Sequence, residues 1–404
     1  MEKDESLVRV KFSIIIPTRD RPELLALAVQ YALSQKYKNI ELIVSDNSTT
    51  PDYKKKNKHK IEKSLKEHKV LFVSPDKQLS VPEHFEFALQ YATGDYVLFL
   101  TDKMMLLPDT LTSAAEVIKK TEAEIVNWGY FPFNTDNYLN PKNGGTLVYT
   151  LNIQNNLYKE YEPLQHLKIK SSGLISRQNE SMENYIKGKL CFGCFSKNLL
   201  SQIIKKSGSV FGGATHDYSA MVQGLCLAKK CAILEEPGIL FVGLPENKSL
   251  GMLTCLNSGS ALKYYKEFTD TDLILTSLLV PGVYSSQHNM VAHDYKKYLK
   301  IYDKFQFFGE KFWLSSILND FLLPNKVWIS QRERQDQIDL FYKYIKEKYP
   351  IRYYFYKYKQ WILKVNNTTK KFLKKVIPFK NTATRYYHTH CASLEAAINF
   401  IISR

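Results

Sequence analysis

Three segments of this chain place polar and charged side chains directly after apolar runs, an arrangement in which a buried strand delivers chemistry at its carboxyl end. The first, FSIIIPTRDRPE, ends in Pro17, Thr18, Arg19 and Arg21, a hydroxyl and two guanidinium groups. The second, IELIVSDNST, presents Asp46 and Asn47, and a carboxylate there can accept a hydrogen bond from a base or ribose donor. The third, GDYVLFLTDKMM, delivers Thr101, Asp102 and Lys103, polar groups that could hold a metal or a diphosphate. Taken singly, each has a bland reading: a charged turn before a helix, an Asp-Asn turn, a surface ion pair.

The elements that must position these groups are legible in the alternation of short apolar runs with longer amphipathic ones. That pattern predicts a mainly parallel sheet with strands at Phe12 to Ile16, Ile40 to Ser45, Val70 to Val73, Tyr96 to Leu100 and Glu124 to Trp128. Pro22 starts a helix whose apolar stripe runs from Leu24 to Ala32, and a second helix carries Phe85, Ala88, Leu89 and Ala92, with Gly94 past its end. No glycine precedes Gly94, which excludes a phosphate-cradling glycine loop after the first strand. Residues 129 to 185, rich in Pro, Gly, Asn and Tyr without a sustained period, read as loops forming a binding wall. From about Leu250, aromatic, Leu and Lys residues recur at helical spacing.

The chain has 404 residues and a net charge of +16, long enough for two domains and too apolar for a disordered chain. The charge is local. Residues 53 to 69 carry eight Lys and two Glu, and residues 341 to 380 carry twelve Lys or Arg and one Glu, so the rest of the chain is close to neutral. The first patch reads as an exposed helix. This distribution, with no RNA-binding signature, speaks against a nucleic-acid partner. The six Cys are too irregularly spaced for a disulfide framework, and Cys191 and Cys194 read as core thiols on a buried strand. His288 and His293 read as residues of a helical surface. The first residues, MEKDESLVRV, lack the apolar run of a secretory leader, so the expectation is a cytoplasmic protein.

Together, SIIIPTRDRPELLALAVQYALSQ, IELIVSDNST and ALQYATGDYVLFLTDKMMLLPDTL strongly resemble the nucleotide-sugar-binding half of family 2 glycosyltransferases. The resemblance is close over residues 8 to 115. It extends more loosely to about 245, through THDYSAMVQGL and EEPGILFVG. It implies a GT-A-like α/β fold, a mainly parallel (mixed) sheet flanked by helices, spanning residues 1–249 and followed by a C-terminal α-helical domain, 250–404. It implies inverting transfer of a sugar from a nucleotide-diphosphate donor, a UDP-sugar before a dTDP-sugar, to a glycan or lipid-linked glycan. Pro17, Thr18, Arg19 and Arg21 would line the nucleotide pocket. Asp46 would bind the base beside Asn47, Asp102 would hold a divalent cation, and Asp217 would be the general base.

The third segment departs from the family. Where relatives offer two or more acids, this chain reads Thr101, Asp102, Lys103, Met104. One carboxylate is a poor site for Mg²⁺ or Mn²⁺, and Lys103 could replace part of the metal's charge on the leaving diphosphate, so the expected metal is weak or dispensable. The same departure leaves open a catalytically degenerate binding subunit of a polysaccharide assembly system. Residues 341 to 380 interleave their basic residues with twelve aromatics, a composition suited to the headgroup level of an anionic membrane, here the inner face of the plasma membrane.

Overall fold

A computed structural model describes residues 10–68, 70–135, 144–150, 156–174, 180–243, 256–323, 325–365 and 386–403. The strands are β1 (Phe12–Thr18), β2 (Ile40–Asp46), β3 (Val70–Val73), β4 (Tyr96–Phe99), β5 (Met104–Leu106), β6 (Ile125–Asn127), β7 (Tyr130–Thr135), β8 (Gly145–Thr150), β9 (Tyr158–Tyr161), β10 (Gly193–Ser196), β11 (Cys231–Leu234), β12 (Ile239–Gly243) and β13 (Tyr386–Cys391). The helices through the first part of the chain are α1 (Pro22–Leu33), α2 (Pro51–Lys60), α3 (Glu62–Glu67), α4 (Val81–Leu89), α5 (Thr110–Thr121), α6 (Pro163–Ser171), α7 (Met182–Ile186), α8 (Lys197–Ser207) and α9 (His216–Leu227). The remainder are α10 (Ser258–Lys266), α11 (Thr271–Ser277), α12 (Gln287–Tyr302), α13 (Glu310–Phe321), α14 (Gln331–Lys348), α15 (Pro350–Val365) and α16 (Leu394–Ile402).

An eight-stranded mixed sheet runs β3-β2-β1-β4-β10-β6-β11-β9. Its first four strands are parallel, whereas β10 is antiparallel to both β4 and β6. Helices cover both faces of β1, so Ile14, Ile15 and Ile16 are all fully buried, which is why this strand reads as a continuous apolar run. β1 extends to Thr18, with Pro17 opposite Ser45 and Thr18 opposite Asp46. Pro17 can occupy a central strand because pairing with β4 ends at Ile15 opposite Phe99, where no ladder bond is asked of its nitrogen. Gly94 lies where a Cβ would come within 2.7 Å of the Lys11 carbonyl oxygen, so glycine allows the chain to enter β4 beside β1.

Two expectations change. Residues 129 to 185 are not mainly loop: they include β7, β8, β9, α6 and α7, and two of these strands join a second sheet ordered β13-β8-β7-β12-β5. The short strands escape notice because Pro, Asn and Gly are admissible at sheet margins and obscure the period of two. Nor is the last part of the chain all helix, since β13 pairs antiparallel with β8 from Tyr386 opposite Thr150 to Cys391 opposite Gly145. The expected boundary at 249/250 lies outside the described residues. One apolar core runs through both regions, taking in Ile14 and Leu225 with Tyr295, Leu314 and Phe341. The lysine-rich run forms α2 and α3, largely exposed as expected. Among the described residues, no helix is long and apolar enough to cross a membrane.

Below the β1–β2 edge, Glu41 accepts hydrogen bonds from Lys11, Ser13 and Thr93. Burial pushes its carboxyl up, but these donors outweigh burial and bring it down to about 2. A depressed carboxyl pKa stabilises the fold above the unfolded value of roughly 4.3 and loses that contribution as pH falls towards 2. Glu41→Gln is therefore expected to lower the thermal midpoint at pH 6 and to narrow its difference from the parent at pH 2.5. Equal differences at both pH values, measured by circular dichroism, would contradict this.

Candidate active site

The parallel strands β1 and β2 end side by side, and the residues that follow β4 rise to meet them. Thr18 donates its hydroxyl to Asp102 Oδ2 at 3.0 Å, and Arg21 donates to Asp102 Oδ1 at 3.0 Å. Asp102 is almost fully buried, so both oxygens of a carboxylate held away from water are engaged by a hydroxyl and a guanidinium. Lys103 follows it, half-buried, with its ammonium 5.5 Å from the ring centre of Phe241. Burial and the neighbouring Arg21 charge push Lys103 down to about 8, against the pull of Asp102. Thr101 is beside them, and its buried hydroxyl makes no hydrogen bond among the described residues.

The end of β2 forms a second polar cluster. Asp46 is completely buried, and its Oδ1 accepts from the Ser48 backbone at 2.9 Å and the Asn57 amide at 3.2 Å. Its Oδ2 makes no hydrogen bond among the described residues. A buried carboxylate oxygen without a donor is costly, which marks it as a place for a ligand N–H or O–H. Asn57 is the one buried residue of the lysine-rich helix α2, a partner that the charge run concealed. Asn47 has a different role from its neighbour: its side-chain amide exchanges two hydrogen bonds with the Leu79 backbone, at 2.8 and 3.0 Å, and pins the segment before α4.

The turn between β1 and α1 contains Asp20 in the left-handed region at φ 59°, a conformation that aspartate tolerates better than most residues. Its carboxylate accepts from the Thr49 backbone and hydroxyl at 2.8 and 2.9 Å, tying the two strand ends together. Arg19 has a partner that the sequence did not suggest. Its guanidinium forms a two-pronged pair with Glu267, just past α10, at 3.0 and 3.1 Å. His84 on α4 is buried at hydrogen-bonding distance from Ser45, 2.8 Å, and burial pushes it down to about 4, so it is neutral near pH 7.

Asp217 lies in the first turn of α9, where the helix dipole favours a carboxylate. It accepts from Lys189 Nζ at 3.1 Å. Lys189 is fully buried, with its ammonium 3.9 Å from the ring centre of Tyr185 and 4.0 Å from that of Tyr218. Two aromatic faces and a carboxylate thus replace the water of a cation that burial would otherwise penalise. Nothing in the local sequence signals Lys189, whose environment is purely tertiary. The two parts of the site are linked through α4. His216 packs on Phe85 at 4.4 Å between ring centres, and Phe85 stacks on Phe99 of β4 at 4.9 Å, three residues before Asp102.

Cys191 and Cys194 are core thiols as expected, and burial pushes both up, Cys191 to about 12, but only Cys194 lies on a strand, Cys191 being in the helical turn before β10. The histidine expectation does not. His288 is half-buried with Nδ1 2.8 Å from Asp320, and His293 is buried with Nδ1 2.7 Å from the Ser277 carbonyl oxygen.

Asp217→Asn removes the negative charge facing the Lys189 ammonium and is expected to cost about 1–3 kcal/mol. The double variant Lys189→Met/Asp217→Asn is expected to recover most of that loss. Urea unfolding of the parent, both single variants and the double variant measures the coupling, and additive effects would contradict it.

With this geometry in place, comparison with known proteins is informative. Residues 13–185 match the glycosyl transferase family 2 model. A GalNAc(5)-diNAcBac-PP-undecaprenol beta-1,3-glucosyltransferase of Campylobacter jejuni subsp. jejuni serotype O:2 is 28% identical over 117 residues. That match spans 28% of this chain and only 37% of the relative's length. Among solved structures, S. aureus TarS 1–349 in complex with UDP-GlcNAc shares 14% identity, covers 83% of this chain and 81% of its own, and has a TM-score of 0.46. TarS 1–349 in complex with UDP shares 12% identity, with 93% and 95% covered and a TM-score of 0.44.

Proposed function

We propose that the chain is a family 2 glycosyltransferase, the model of which residues 13–185 match, and that it transfers a sugar from a nucleoside-diphosphate donor to a hydroxyl of a glycan or lipid-linked glycan. The observation that carries the donor reading is Asp46 Oδ2, a buried carboxylate oxygen with no partner among the described residues, at the carboxyl end of a parallel strand. It suits the imide N–H of a uracil or thymine ring, hence a UDP- or dTDP-sugar, UDP being favoured. The C. jejuni relative's name specifies a lipid-linked acceptor, which supports the acceptor class.

In this reading the reaction is an inverting single displacement. The acceptor oxygen forms a bond to the anomeric carbon while the bond from that carbon to the phosphate oxygen breaks. The hydroxyl proton passes to Asp217, and the nucleoside diphosphate leaves with the bonding electron pair. Pro17 and Thr18 border the diphosphate, while Arg21 and Lys103 supply the positive charge that its developing negative charge requires. Arg19 joins them only by sharing or releasing Glu267.

The residues around Asp102 fit a divalent cation poorly. Both carboxylate oxygens are already bonded, the next residue is a lysine, and among the described residues no group of three or more His, Cys, Asp or Glu could hold a metal ion. Mg²⁺ and Mn²⁺ need oxygen ligands, and a guanidinium already pairs with the one on offer. We therefore assign the neutralising charge to Arg21 and Lys103. A calorimetric panel of nucleotide sugars, followed by transfer assays with the donor that binds, tests the reading. Transfer is expected to persist in EDTA and to fall about 10²–10³-fold in Arg21→Met. Complete loss in EDTA restored by Mn²⁺ would overturn the assignment, and the absence of both donor binding and transfer would overturn the proposed function.

A location at an anionic membrane surface, also proposed, is supported by α15. Ile351, Tyr354, Phe355 and Tyr358 recur at i, i+3, i+4 and i+7 and are 89%, 75%, 60% and 59% exposed, while Tyr356 on the opposite side is buried. Arg352 and Lys357 flank this stripe, within the basic stretch of residues 341 to 380. The side chains beyond 358 and all residues from 366 to 380 lie outside the described residues. An exposed aromatic stripe edged by cations suits an anionic bilayer surface. Ile351→Ser/Phe355→Ser is expected to abolish co-sedimentation with phosphatidylglycerol vesicles while leaving thermal stability unchanged. Equal binding by the parent and this variant, or no binding by the parent, would contradict it.

A further inference from the structure

Residues 212–215 lead into α9, and Asp217 sits in its first turn. We propose that Asp294, on α12 of the helical region, is the positioning residue for Asp217: its buried carboxylate fixes the turn from which that base projects. The inference rests on Asp217 as the general base.

Asp294 is completely buried, yet it has no lysine or arginine as its ion-pair partner in the described contacts. Instead it accepts from the Ala214 backbone N–H at 2.7 Å, the Thr215 backbone N–H at 2.8 Å and the Thr215 hydroxyl. Thr215 holds the N-cap position of α9, but its hydroxyl is spent on Asp294 and makes no capping bond to the helix. The carboxylate from another helix instead holds the amides just ahead of α9, those of Ala214 and the N-cap residue Thr215, beside the helix's positive end. Two more residues of the helical region hold the same turn. Tyr264 donates its hydroxyl to the Ala214 carbonyl oxygen at 2.8 Å, and Lys297 donates to the Gly212 carbonyl oxygen at 2.7 Å.

The fit leaves no slack. A Cβ on Gly213 would lie 2.4 Å from Asp294 Oδ1, so the glycine lets the turn close onto the carboxylate. On its other side, His216 rests against Phe85. The start of α9 is therefore clamped between the donor-binding half and the helical region, and Asp217 inherits that position. Displacement of a reacting group by about 1 Å can cost roughly 10²-fold in rate, so the clamp bears on catalysis and not on folding alone.

Asp294→Asn keeps the size of the side chain but replaces one accepting oxygen with a donor, which must oppose an N–H. In the full chain, deuterium uptake of peptides covering residues 212–220 is expected to rise while that of β1 and β4 is unchanged. Transfer kcat should fall about 10²-fold with the donor KM kept within about threefold. Tyr264→Phe, which deletes a single hydrogen bond, guards against a folding failure and should lower kcat several-fold with the same unchanged donor KM. Unchanged exchange at 212–220, or kcat and donor affinity falling together with the thermal midpoint, would overturn the proposal. If the parent protein transfers no sugar at all, the proposed function fails, and the exchange measurement still decides whether Asp294 sets the start of α9.

Discussion

The parallel register of β1 against β2 is the constraint on which the site depends. Because Thr18 falls opposite Asp46, the two strands end at the same level, and the chain must leave both through turns that face one another. β4 ends three residues lower, with Phe99 opposite Ile15, so the three residues that follow rise alongside β1 and bring Asp102 to Thr18. A slip of one residue would send every one of these side chains to the other face of the sheet. The isoleucines of β1 are buried on both faces and do not select the register, which is held instead by the polar groups at the ends of the run, Ser13 on Glu41 and Thr18 on Asp102.

Once the strand ends are fixed, the dominant cost is that of holding charge away from water. Each charge at the site is met by a particular partner: Asp102 by Arg21 and Thr18, Lys189 by Asp217 and two tyrosine faces, Arg19 by Glu267, Asp294 by two backbone amides and a hydroxyl. Removing one member strands the other, which makes these pairs fragile to substitution while adding little net stability. They gain orientation instead. The unpaired Oδ2 of Asp46 stands out against this pattern, and that contrast gives it more weight than burial alone would.

How far the sequence could be read follows from the range of the forces involved. The strand positions, the exposed lysine-rich helices and the groups at the strand ends are set by local periodicity, and they were legible. Partners set by the tertiary fold were not. Asn57 is hidden in a run of lysines, and Lys189, Glu267 and Asp294 lie far along the chain from the residues they hold. The second sheet was missed because β7 contains Pro132 and Asn134, and β13 because it follows a long stretch of helical spacing. The expected role of Arg19 was shaped by its motif, which cannot report that a glutamate some 250 residues later pairs with it.

The helical region therefore cannot be treated as an appendage to a finished catalytic domain. Its core is continuous with that of the sheet, and β13 closes the edge of the second sheet against β8. Deleting the end of the chain to test membrane binding would remove that strand along with the basic residues, so loss of binding could not be attributed to charge. The exposed face of α15 allows a cleaner separation, because its stripe contributes nothing to the core while Tyr356 on the reverse side anchors the helix through its hydroxyl to the Lys311 carbonyl oxygen. One region thus presents two opposite faces, an inner surface that grips the start of α9 and an outer aromatic and basic one, the face proposed to meet a bilayer. Of the chain's excess positive charge, only the share on residues 341 to 380 bears on that outer face, since the inner surface works through hydrogen bonds and paired charges that nearly cancel.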